Sequence, residues 1–97
     1  MTKEIIKNKI MEFDDKNLFP SLENNQVALV RADFFTGHIL DKDYNLYNVS
    51  KECEIYTIFD SIDLAKLYIC KQKLKYENIE YIIYGKTKEV LCYIEPR

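Results

Sequence analysis

The chain has no tryptophan, one histidine, two glycines and two prolines among its 97 residues. Each scarcity excludes something. With so little glycine, neither a G-x-G-x-x-G turn nor a Walker-type phosphate loop can be written. GKT at 85–87 lacks the upstream glycine and a following helix, so it reads as a hairpin turn. The same scarcity leaves no flexible linker and no low-complexity stretch, and no internal repeat is present. No apolar run is long enough to span a membrane. MTKEIIKNKIMEF carries Lys3, Lys7 and Lys9 without the apolar core of a signal peptide.

Cysteine is sparse and shows no C-x-x-C pair: Cys53, Cys70 and Cys92 are odd in number and far apart. That pattern excludes zinc ribbons and dithiol redox motifs, and it predicts reduced thiols buried beside Ile55, Ile69 and Leu91. A cytoplasmic location is expected on this ground. His38 has only the scattered carboxylates Asp33, Asp41 and Asp43 near it in sequence. One imidazole is too little for a metal site, and a nucleophile–base pair would need a thiol that the pattern buries. The expectation is a protein that is not an enzyme and takes no cofactor and no metal.

Excess charge of one sign is also missing. Fourteen basic residues stand against sixteen acidic ones, for a net charge of −2. A nonspecific duplex binder is usually strongly basic. The length suits one α+β domain over 1–97, large enough to bury a core without staples. Lysine, isoleucine, asparagine, tyrosine and phenylalanine dominate, residues of AT-rich codons, so a bacterial or phage genome of that kind is expected.

Along the chain, residues 3–12 space Ile5, Ile6, Ile10 and Met11 as a short helix. DDKNLFPSLENN reads as a loop tacked down by Leu18, Phe19 and Leu22. QVALVRADFF, 26–35, is a strand with Ala28, Val30, Ala32 and Phe34 on one face and Val27, Leu29, Arg31 and Asp33 on the other. The alanines predict a helix packed close against the first face. DKDYN is a turn signal, LYNV a candidate short strand, and ECEIYTIF, 52–59, a second strand. IEYIIY and EVLCYI, joined by GKTK, form a hairpin. The expected fold is a two-layer α+β sandwich. It has a mainly antiparallel sheet of four to five strands, one main helix and a short N-terminal helix.

The main helix is SIDLAKLYICKQKLKY, 61–76. Asp60 or Ser61 caps it, Asp63 suits its positive end, and Lys71, Lys73 and Lys75 suit its negative end. At 100° steps Ile62, Ala65, Ile69 and Tyr76 form one apolar stripe, and Leu67, Cys70 and Leu74 form a second, roughly opposite. Lys66 and Lys73 separate them. A helix on one sheet needs one stripe. The surplus is covered either by the N-terminal helix and the Leu18–Leu22 loop or by a partner, which includes a second copy of the chain. Lysine-rimmed apolar patches suit protein binding.

Two further features point outward. Acidic residues gather in loops, Asp41 and Asp43 among them, as a surface complementary to a basic partner. Eight tyrosines suit half-buried strands and protein interfaces. Beside lysines on an open sheet they would also stack single-stranded bases.

The stretch 55–94, with Phe59, Asp60, Ser61, Ala65 and the hairpin rhythm that follows, resembles small bacterial proteins of the toxin-immunity type. In these, a strand ends in an F-D-S-like cap and feeds a helix with an early alanine and a hairpin. The resemblance implies a non-enzymatic inhibitor of one cognate toxin and carries no catalytic residue. The expectation is therefore a protein-binding domain of the immunity or inhibitor kind. Its partner-binding residues are Leu67, Cys70, Leu74, Lys66, Lys73, Asp41 and Asp43, and its partner is a protein or its own second copy, with no membrane. The alternatives are a small nucleic-acid-binding regulator that uses the basic helix 61–76, and a small-molecule-binding domain.

Overall fold

The computed structural model describes residues 19–47 and 55–96. The expected N-terminal helix, Cys53, and the first residues of the expected strand 52–59 lie outside them. The described elements are β1 (Val27–Asp33), β2 (Ile39–Leu40), β3 (Thr57–Phe59), α1 (Ile62–Gln72), β4 (Ile79–Tyr84) and β5 (Val90–Ile94). The strands form one five-stranded sheet in the order β2-β1-β4-β5, with β3 also on β1. All pairings are antiparallel. The fold is the α+β sandwich expected.

β1 is VALVRAD, an almost unbroken apolar run, as suits a strand covered on both faces. Its long edge pairs with β4 from Ala28↔Tyr84 to Asp33↔Ile79. Its other edge is shared: β3 pairs with Val27–Leu29 and β2 with Arg31 and Ala32. β3 is shorter than expected, since Ile55 and Tyr56 lie outside it. Of LYNV, Leu46 makes an isolated bridge to Leu40. β5 closes the other end of the sheet and pairs only with β4 among the described residues. Its register slips by one residue beside Ile83 and Tyr84.

α1 begins at its cap. The Ser61 hydroxyl accepts a hydrogen bond from the Leu64 N–H at 3.2 Å. The helix ends at Gln72, earlier than its apolar spacing predicts. Beyond it the amides reach back only three residues in places, as from Leu74 to the Lys71 carbonyl. Leu74 gains no burial there, and Tyr76 turns instead to stack on Tyr44. Asn78, with φ at 63°, then swings the chain into β4.

The side on which α1 packs corrects an expectation. It lies on Val27, Leu29, Tyr81 and Ile83 through Ala65 and Ile69, away from the alanines of β1. Close approach needs a small residue on only one partner, and here Ala65, fully buried, supplies it from the helix. Ala28 and Ala32 make room on the opposite face for Phe19 and Leu22. There Leu22 and Ile55 join Val30, Ile82 and Tyr84, and Phe19 sets its ring edge-on to Tyr56 (5.3 Å) and Tyr84 (5.9 Å). Both faces of the sheet are thus covered.

Glu80 lies opposite Ala32 on that second face and is fully buried. Tyr93 donates its hydroxyl to Glu80 Oε1, while Oε2 has no partner. Loss of hydration lifts this carboxyl above its ordinary value of 4.5, against the pull of the Tyr93 hydrogen bond and with help from Glu95 and Asp33. Above the ordinary value the unfolded chain releases the proton while the folded chain keeps it. Stability is therefore highest below that value and is lost as pH rises through the raised one. Urea midpoints at about pH 5 and about pH 8 should show this loss, and Glu80→Gln should shrink it. At the upper pH the variant should be more stable by roughly 1–3 kcal/mol, the cost of an unsatisfied buried group.

Candidate functional site

The helix residues separate into two roles. Ala65 and Ile69 are buried, while Leu64, Leu67 and Cys70 face away from the sheet. Leu67 is 54% exposed, and Leu74, just past the helix end, is 88% exposed. Of the Leu18–Leu22 loop, one expected cover, Phe19 and Leu22 pack on the far face of the sheet and do not reach them. Cys70, expected to be buried, is an exposed free thiol, and Cys92 is half-buried. Lys66, Lys71 and Lys75 are exposed beside these residues and Lys73 is half-buried, so the apolar surface has a cationic rim.

The acidic residues part company. Asp41 is buried, and its Oδ1 accepts the backbone amides of Asp43 (2.9 Å) and Asn45 (3.0 Å). Its charge organises a turn and is not displayed. Asp33 does the same for Phe35 and Thr36. Asp43 is exposed. His38 is exposed in the turn after β1, and among the described residues no three of His, Cys, Asp and Glu gather as metal ligands.

The turn that Asp41 holds delivers a cluster that sequence reasoning missed. Arg31, in the middle of β1, is fully buried under α1. It donates from Nη1 to the Asp41 carbonyl (3.1 Å) and from Nη2 to Thr57 Oγ1 (2.6 Å), while Nε has no partner. The Tyr44 ring lies over the guanidinium at 5.2 Å and Tyr68 at 6.0 Å. The Tyr44 hydroxyl meets those of Tyr68 (3.1 Å) and Tyr81 (3.2 Å), and its ring stacks on Tyr76 at 3.9 Å. Burial, reinforced by Tyr68 and Tyr81, holds the Tyr44 phenol far above its ordinary range, and burial also raises Tyr81. Neither phenol supplies a negative charge to answer Arg31. The signal in the sequence was the arginine itself, alone in the apolar run VALVRA.

Two other features of the surface are less open than the tyrosine count suggests. Tyr81 and Tyr84 are buried, and Tyr44 and Tyr76 stack on each other, so these rings form no open platform for bases. An open hollow of about 490 Å³ lies between Gln26, Asp60, Ser61, Lys86, Glu89 and Leu91. Its polar groups already have partners: Gln26 donates to Asp60, Lys86 to Asn24, and Thr87 to Glu89.

The two neighbouring acids should behave differently. Asp41→Ala should cost roughly 1–3 kcal/mol in chemical denaturation, because two backbone amides lose their acceptor and the turn under Tyr44 loosens. Asp43→Ala should stay within about 0.5 kcal/mol of the parent. Equal effects would show that the Asp41 turn is not what positions Tyr44.

No protein-family model, characterised protein or solved structure matches the chain, so its function is argued from these side chains alone.

Proposed function

We propose that the chain is a non-enzymatic protein-binding domain of the inhibitor or immunity kind, which neutralises a cognate partner through the outward face of α1. One observation carries this reading: Leu64, Leu67 and Leu74 are 48%, 54% and 88% exposed beside a rim of lysines. Burying such side chains is favourable at roughly 1.5–3 kcal/mol each, and an apolar centre with a polar rim is how protein interfaces are built. Lys66, Lys71, Lys73 and Lys75 favour an acidic partner, since like charges facing one another suppress pairing. The same repulsion argues against self-association through this face.

The test uses the products of the genes adjacent to its own, co-expressed with the chain and assayed for co-purification and for relief of any toxicity. Leu67→Asp with Leu74→Asp should leave the circular dichroism spectrum unchanged and cost no more than about 0.5 kcal/mol of stability. The same pair should weaken partner binding by at least about 2 kcal/mol, the loss of hot-spot contacts. Lys66→Glu with Lys73→Glu should slow association and blunt its salt dependence. A double aspartate variant that unfolds places the two leucines in the core. One that binds as the parent does moves the interface elsewhere.

A further inference from the structure

We infer that Arg31, Tyr68 and Tyr81 form a receptor for an aromatic oxyanion, of the benzoate or phenyl phosphate class, whose place the Tyr44 side chain occupies in this structure. The site is separate from the outward face of α1 and stands or falls without it.

Charge is the first argument. Arg31 is fully buried, and among the described residues no carboxylate meets it; its contacts are a carbonyl, a hydroxyl and two rings. A buried cation is costly to strip of water unless an anion answers it. Its Nε–H is left without an acceptor.

Protons are the second. Three phenol hydroxyls share two contacts, both centred on Tyr44 Oη. Each hydroxyl brings one proton, so at least one proton is donated to neither contact. An anionic oxygen at the Tyr44 Oη position accepts and does not donate. It would take the hydroxyl protons of Tyr68 and Tyr81, and the ring that bears it would lie against the guanidinium as the Tyr44 ring does. The count then closes and the charge is neutralised.

Shape and access complete the case. The Tyr44 ring lies between the Tyr76 ring, stacked at 3.9 Å and 6°, and the Arg31 guanidinium, a slot for a flat ring. Tyr76 is 39% exposed, so one ring and one short turn separate the slot from solvent. Tyr44 itself is in the left-handed region, φ 68°, at the third position of a three-residue hairpin loop, where glycine is usual. That backbone is held by the turn itself, and glycine there would adopt it without strain.

Calorimetric titration and thermal shift with benzoate and phenyl phosphate test this, with acetate and inorganic phosphate as ring-free probes. The parent should bind an aromatic anion, and Tyr44→Gly should bind it about tenfold more tightly, because glycine suits the turn and nothing need be displaced. In that background Arg31→Gln should lose at least about tenfold. Because Arg31→Gln can also disturb folding, Tyr81→Phe is the second probe. It removes one donor hydroxyl and should weaken binding about fivefold. No binding to folded Tyr44→Gly at about 10 mM anion overturns the inference. So does binding that is indifferent to both donor variants, or ring-free probes that bind as well as the aromatic ones.

Discussion

The pairing of β1 with β4 is the constraint on which the rest depends. Its register assigns every side chain of the two central strands to one face or the other, and a slip of one residue would exchange the faces. Arg31 stands opposite Tyr81 and Ala32 opposite Glu80. Among the described residues, the two fully buried charged side chains are therefore on adjacent rungs but opposite sides of the sheet, and they cannot neutralise each other. Each is handled within its own layer. Glu80 leans on the Tyr93 hydroxyl and a raised affinity for its proton. Arg31 is wrapped in tyrosine rings, a threonine hydroxyl and a turn carbonyl.

The helix is the element that links this interior to the surface. It buries only Ala65 and Ile69 fully, contributes Tyr68 to the arginine cluster, and leaves Leu64 and Leu67 in water. A helix held by so small a footprint can expose apolar surface without losing its place, because the cap at Ser61 and the stacking of Tyr76 on Tyr44 anchor its two ends. Rigid backbone beneath exposed leucines suits recognition, since little ordering entropy is lost on contact.

Much of the fold was legible because its signals are local. The apolar run of β1, the Ser61 cap and the GKTK turn each specify their own neighbourhood, and all lie where expected. The side of β1 that receives the helix was not legible. Alternation shows which residues share a face, but not which face is covered by what, and the small residue that mattered was Ala65. Nor does spacing report where a helix stops, so Leu74 was placed on a stripe that ends before it. Of the candidate residues, Asp41 looked like displayed charge and is a turn-former, because an aspartate in DKDYN has backbone amides within reach. The arginine cluster gathers residues from β1, β3, β4, α1 and two turns. Only the register brings Arg31 to Tyr81, and only a left-handed tyrosine, where glycine is the usual choice, brings Tyr44 over both.

The outer strand has a consequence for life at high concentration. β5 reads VLCYI, five residues without a charge, and among the described residues it ends the sheet. Such an edge invites a neighbour's strand to add to it, and crowding raises the odds of that encounter. The slipped register beside Ile83 and Tyr84 bends the strand just where a flat template would be needed, and Glu89 and Glu95 bracket it with negative charge. The irregularity in the ladder thus acts as a guard on colloidal behaviour.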